Sequence, residues 1–299
     1  MNTFFAMTKR NTKMFFRDKA MFFTSLITPI ILLVLYATFL ANVYRDSFLN
    51  ALPEGFSTSD AIINATVGGE LFSSLLAVCC ITVAFCSNLL MVQDKARGTH
   101  RDFMITPVKK STLALSYYTS TFISTIIITL TATAASLIYV ACTGWFLSFG
   151  DVMLLLLDVF LLTMFGTALS SVVNMFLSTN GQASAVGTVV SAGYGFICGA
   201  YMPIASFSTG LQAVLMFLPG TYGTSLLRNH ALNGVFNQMA IDGYPGEAIE
   251  GIRDSLDCNL SFFGSDVSIG AMYAVLIGSI ALLVGLFVLF TALRGKRKK

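Results

Sequence analysis

The sequence predicts an all-α integral membrane protein: six transmembrane helices, an N-terminal interfacial helix, a short cytosolic helix and re-entrant helices on the outer face. Three observations carry this reading. Only 11% of the residues are charged and 55% are hydrophobic, whereas soluble domains carry about 25% charged residues. A crossing helix needs about 20 mainly apolar residues, and the segments 22–42, 71–92, 117–141, 152–177, 183–202 and 267–293 each supply them. With six spans, fifteen of the eighteen Lys and Arg residues fall on one side.

The first stretch, "MNTFFAMTKRNTKMFFRDKA", is not a secretory signal peptide, because charge interrupts its apolar residues and no small-residue cleavage site follows. In a helix Lys9, Lys13 and Arg17 recur at i, i+4 and form one basic ridge. Phe4, Met7, Met14 and Phe15 lean to other faces. Residues 1–21 are therefore expected to lie as an amphipathic helix in the headgroup layer, ahead of one six-span unit over 22–299.

Orientation follows from the basic residues. Lys9, Arg10, Lys13, Arg17 and Lys19 precede span one; Lys95, Arg97, Arg101, Lys109 and Lys110 separate spans two and three; Arg294, Lys296, Arg297, Lys298 and Lys299 close the chain. The other side holds Arg45, Arg228 and Arg253 against eleven acidic residues. Both termini are expected in the cytosol. The segment "LQAVLMFLPGTYGTSLL" (211–227) is apolar, but it has 17 residues and a Pro219-Gly220 break. Counting it as a crossing would put the "RGKRKK" tail outside. Residues 203–266 are therefore expected as an outer region that opens with a pair of short re-entrant or interfacial helices.

Between spans two and three, "QDKARGTHRDFMITPVKK" has seven Lys, Arg or Asp among its eighteen residues. Thr99-x-x-Asp102 has capping-box spacing, with Thr99 as N-cap. Gly98 permits a sharp exit from span two, Pro107 disfavours helix at Thr106, and Ser111 is placed to cap span three. The expected product is a helix of about seven residues, roughly 10 Å long, within 98–107. Phe103, Met104 and Ile105 form its apolar knob, with Phe103 as the docking contact.

Asp94-x-x-x-Gly98-Thr99 followed by Pro107 resembles the signature of the ABC-2 permeases, the six-span membrane subunits of ABC exporters. The chain departs from the usual pattern at Asp94, where Glu is common, at His100, where an aliphatic residue is usual, and at Phe103, where Leu is usual. The similarity extends to the "TKRNTKMFFRDKAMFFTSLITPIILL" entry and the "LP-x-T-Y" turn inside 199–228. The resemblance implies a bacterial cytoplasmic membrane, export, and an ABC ATP-binding subunit coupled through Asp94, Gly98, Thr99, Arg101, Asp102, Phe103 and Pro107. It also implies a second permease, identical or a sister chain.

Span five repeats small residues at Ala183, Gly187, Ser191, Gly195 and Gly199, a stripe that lets another helix approach closely. Ordinary packing within the chain is the simpler reading of the stripe. In the resembled family, spans two and five line the path, which points to Phe85, Asn88, Tyr194 and Phe196. Asp158, the one acid well inside a predicted span, has no basic partner evident in the sequence; a partly hydrated or hydrogen-bonded structural acid is the favoured reading over a proton or substrate role. Cys79, Cys80, Cys86 and Cys198 lie in apolar runs, where a thiol acts as a small hydrophobe.

No GxxxxGK[ST] occurs, so ATP and Mg are expected on the partner ATPase, with no cofactor, metal or catalytic site on this chain. Nothing points to nucleic acid; the bilayer is the other expected partner. The function expected is an ATP-driven export permease for a small or amphiphilic substrate. A secondary transporter would be expected to show intramembrane charges or paired broken helices, and a regulatory membrane subunit leaves the short helix and the stripe without a shared purpose.

Overall fold

The computed structural model describes residues 3–36 and 58–294, with 38, 41, 42, 45, 46 and 48 between them. The "RGKRKK" tail beyond Arg294 and most of the first connecting segment lie outside the described residues.

Helix α1 (Thr3–Arg17) buries Met7, Thr8, Asn11 and Phe15, one face at three- and four-residue spacing. Asp18 stops it: its carboxylate accepts from the Met21 amide at 3.1 Å and caps α2 (Lys19–Leu35). The two helices bend by 73°. An amphipathic helix therefore leads into a greasy one, as the sequence suggested, and α1 packs on the bundle.

Ser59 caps α3 (Asp60–Ser87), which continues after a break at Asn88 as α4 (Leu89–Ala96). Helix α3 is apolar on all sides, as a helix surrounded by others must be, and it is the axis of the molecule. Around it stand α2, α6 (Lys110–Thr143), α7 (Phe149–Asn174), α8 (Asn180–Ile197) and α10 (Pro219–Ile241). At Gly166 the backbones of α7 and α3 meet so closely that a Cβ would lie 2.7 Å from the Cys80 carbonyl. Between α4 and α6 sits the seven-residue α5 (Thr99–Ile105). Beyond α8 come a short 3-10 turn (Ile204–Ser206), α9 (Thr209–Leu215), α10, α11 (Gly246–Ser255) and a hairpin of β1 (Ser261–Phe262) and β2 (Ser265–Asp266). Helix α12 (Ile269–Arg294) closes the described chain against α7 and α10.

Among the described residues four helical segments are long and apolar enough to cross a membrane: Asp60–Ala96, Lys110–Thr143, Phe149–Asn174 and Ile269–Leu293. The bent pair of α1 and α2 makes five if taken as one span. Predicted span five has become α8, whose Asn180, Gln182, glycines and hydroxyls keep it off that set. Span two starts eleven residues earlier than expected, at Asp60, so Glu70 is helical and buried rather than part of a connecting loop.

The outer region is also partly corrected. Pro219 does break 211–227, standing in the first turn of α10, where its missing N–H costs nothing. But α10 is 23 residues long, and from Gly220 to Met239 it is mostly buried. It is a core element, not a short interfacial helix. Leu226, Leu227 and Leu232 supply the apolar surface, and Ser225, Arg228 and His230 are buried beside them.

Candidate functional site

The end of the bundle that carries α5 is organised by α4. Asp94, one turn before the chain leaves α4, is buried. Arg10 of α1 reaches it with two donors, Nη1 to Oδ2 at 2.8 Å and Nη2 to Oδ1 at 3.1 Å, a bidentate pair. Tyr117 of α6 donates to the same Oδ2 at 2.6 Å. The next residue, Lys95, donates to the carbonyls of Asn174, Met175 and Leu177 at 2.9, 2.9 and 3.1 Å. A cation on the carbonyl end of α7 is favoured by the helix dipole. Two consecutive side chains thus fasten α4 to α1 and α6 in one direction and to the α7–α8 turn in the other.

Gly98 then turns the chain with φ of 86°, a conformation a side chain resists. It flanks α5 on the N-terminal side, so Thr99 is the first helical residue and not the N-cap. No side-chain cap forms there, and the expected Thr99–Asp102 box is absent. Span three likewise starts from Lys109, two residues too early for Ser111 to cap it. The helix length and its extended stop at Thr106, ahead of Pro107, agree with the sequence reading.

The apolar knob divides in two. Phe103 turns inward against the cluster of Met7, Met91, Leu113 and Tyr117, with the Arg10 guanidinium 5.1 Å from its ring centre. Ile105 points away and is 87% exposed. Asp102 and Pro107 are exposed, and the Arg101 side chain lies outside the described set.

Within the bundle the predicted path residues do not come together. Phe85 lines a groove of about 450 Å3 between α2, α3 and α8, with Ile27, Ile31, Gly187, Ser191 and Tyr201. Asn88 is buried at the α3–α4 break and donates to Ser170 and Ser171 at 3.1 Å each. Tyr194 packs into the core against Gly220, and Phe196 is exposed, edge-on to Tyr201 with ring centres 5.0 Å apart. The small-residue stripe divides too. Ala183, Gly187 and Ser191 line the groove, whereas Gly195 receives the Tyr201 ring. Gly199 lies beyond the end of α8, at φ of 78°, and is a turn residue rather than part of a packing face.

Two buried polar clusters, at the end of the bundle away from α5, were not read from the sequence. Arg228 lies 2.6 Å from Glu70 and 2.9 Å from Asp257, and donates to the Gly199 carbonyl at 2.6 Å. Burial pushes the Asp257 carboxyl above the ordinary range, while the Arg228 charge pulls it back. In the second cluster Asp158 has the partners that seemed missing: His230 Nδ1 at 2.6 Å and the Tyr273 hydroxyl at 2.6 Å. This joins α7, α10 and α12. The signal available in the sequence was a basic residue, Arg228, and a histidine, His230, inside an apolar run. Treating 203–266 as peripheral hid both. Among the described residues no cluster of His, Cys, Asp and Glu could hold a metal, and all six cysteines are free.

Two buried helix-to-helix fastenings stand at one end of the bundle, a clamped short helix at the other, and a groove runs along the axial helix. The family model for the ABC-2 type transporter matches residues 2–231. No curated protein matches the chain. The matched range takes in the α1–α2 elbow, the α4–α5 clamp, the groove and the first half of α10 as far as Ala231. The chain belongs to the ABC-2 type transporter family.

Proposed function

We propose that this chain is the permease subunit of an ATP-driven exporter, moving a small or amphiphilic substrate across a bacterial cytoplasmic membrane. In this reading it crosses six times, α2 and α8 completing the set of four strongly apolar helices, with both termini in the cytosol. It works as a dimer with a second copy or a sister permease. ATP and Mg bind a separate ATP-binding subunit, and this chain carries no catalytic site, cofactor or metal.

The observation that carries the reading is the mounting of α5. A seven-residue helix held by Gly98 presents Ile105 outward, while Asp94 and Lys95 immediately before it are fastened to three other elements. A push on α5 therefore reaches α1, α6 and the α7–α8 turn together. Asp94, Gly98, Thr99, Arg101, Asp102, Phe103 and Pro107 remain the coupling set, with Ile105 added as the exposed contact. The groove at Phe85, Gly187 and Ser191 is the best supported part of the path. Its hydroxyls and apolar walls, without charge, suit an amphiphile.

One observation favours the rival of a proton-coupled secondary transporter: the buried Asp158–His230 pair. The test is co-purification of an ATP-binding subunit with the tagged chain, followed by transport of candidate amphiphiles in proteoliposomes with and without ATP. ATP-dependent transport is expected. Transport driven by a proton gradient with no ATPase present would overturn the proposal.

A further inference from the structure

Three phenylalanine rings meet at the tip of the β1–β2 hairpin. The ring centres of Phe262 and Phe263 are 4.8 Å apart, and Phe217, just ahead of α10, lies 5.2 and 6.0 Å from them, each pair edge to face. Aromatic rings are among the largest apolar groups a fold can bury, yet Phe217 is 64% and Phe263 74% exposed. Phe262 pairs with Ser265 across the strands, so Phe263 and Gly264 form a two-residue turn, with φ of 48° and 82°. Asn, Asp or Gly normally takes the first of these positions, and a bulky side chain there is an outlier. The turn holds an aromatic ring outward against its own backbone preference.

This patch runs into the apolar flank of the bundle. Leu218, the residue after Phe217, lines a groove of about 400 Å3 with Val189 and Ile197 of α8 and Ser279 and Leu282 of α12. Leu218, Val189, Ile197 and Leu282 are all exposed. Helix α12 packs through Phe287 in the cluster that holds Phe103, so its first residue, Ile269, stands at the end of the bundle away from α5. Its 26 residues span about 39 Å, and the hydrocarbon layer is about 30 Å thick. A crossing α12 therefore overhangs that layer by about 4–5 Å at each end. Ser279 and Leu282, ten and thirteen residues after Ile269, then lie roughly 10–15 Å inside hydrocarbon. Phe217, one Cα step of about 4 Å from Leu218, brings the aromatic cluster to the same flank.

We propose that the hairpin tip is inserted in the bilayer, with Phe217, Phe262 and Phe263 among the lipid acyl chains beside α12. The tip 261–265 carries no charge, and Asp266 stands at the open end of the hairpin, opposite Ser261. So short a hairpin leaves backbone groups that hydrocarbon would not satisfy. The strands therefore sit at the headgroup boundary and the rings reach about 5–10 Å below it, as an interfacial element does. Lipid fits this surface better than a second permease copy. Helices associate in membranes through small residues that let backbones approach, whereas Phe217, Leu218, Phe263 and Leu282 are bulky. The hairpin lies beyond the residues 2–231 that the family model matches.

The test is tryptophan fluorescence of the full-length permease in proteoliposomes, with the single native tryptophan removed as Trp145→Phe. In that background Phe263→Trp should be quenched at least about twofold by lipids brominated on their acyl chains, and hardly at all by aqueous iodide. Glu247→Trp, at an exposed position of α11, should show the reverse. Phe217→Trp leaves the strained turn untouched, should behave as Phe263→Trp does, and serves if that variant does not fold. Iodide quenching at both positions to the level of the Glu247→Trp control would overturn the proposal. Protection from iodide without quenching by brominated lipid would also overturn it, in favour of contact with a second copy. Insertion rests on the crossing of α12 in the reading above, which Leu282→Trp reads by itself. Quenching by brominated lipid at 282 but not at 217 or 263 would sink the hairpin contact alone, and its absence at all three would sink the crossing with it.

Discussion

The guanidinium of Arg228 lies 2.6 Å from the carboxylate of Glu70, and neither side chain reaches solvent, at 0 and 1% exposure. Arg228 comes from α10 and Glu70 from the axial helix α3, so the pair fastens these two core helices to each other. Breaking one partner of a buried pair costs about 3–5 kcal/mol, because the other charge is left uncompensated. Arg228→Met should therefore lower the melting temperature by several degrees in detergent or nanodiscs. Neutralising the acids as well, in Glu70→Gln/Arg228→Met/Asp257→Asn, should recover part of that loss. A triple variant less stable than the single one would show that the ion pair is not the source of the effect.

Asp158 accepts from Tyr273 and pairs with His230. Asn at this position keeps an acceptor for the tyrosine and a donor for the imidazole, so Asp158→Asn should retain most transport and most stability. Asp158→Leu strands both partners and should cost roughly 2–5 kcal/mol, from two orphaned buried polar groups. Thermal unfolding and transport measured on the same preparations separate the two roles. Normal folding with abolished transport in the Asn variant would assign the acid to proton movement.

The division of the α5 knob gives different expectations for its two halves. Ile105→Asp puts a charge on an exposed surface and should leave stability within about 0.5 kcal/mol, the usual range for surface changes. It should, however, abolish association with the ATP-binding subunit. Phe103→Ala removes an inward contact and should cost about 1–3 kcal/mol, less than a fully buried aromatic, while uncoupling hydrolysis from transport. Arg97→Ala, at an exposed position, should do little. Pull-down of the ATPase at matched permease levels reads all three, and full binding by Ile105→Asp would remove α5 as the docking element.

Topology is checked by single cysteines in a Cys-free background, necessary because Cys142 is exposed. Residues placed at Lys110 and Lys298 should resist an impermeant thiol reagent in intact cells, and one at Glu250 should react. Labelling at 298 from outside would rule out the six-span arrangement.

The sequence by itself determined the class of molecule, because hydrophobicity and the distribution of Lys and Arg are properties of composition and order alone. It also determined α5: Gly98 and Pro107 act through backbone sterics within a few residues, and the observed seven-residue helix needs nothing distant. The Pro219 break in the outer region was legible for the same reason. Tertiary structure decided what those pieces touch. Thr99 yielded its capping role to Gly98 because the end of α4 takes the left-handed turn first. Phe103, expected as the docking contact, turns inward and leaves Ile105 exposed because α1, eighty residues and more away in sequence, folds back to cover one side of α5. Asp158, Glu70, Arg228 and His230 look like isolated charges in sequence, since their partners lie far along the chain on other helices. Burial makes such charges costly until they are paired, and only the packing of α3, α7, α10 and α12 specifies the pairs.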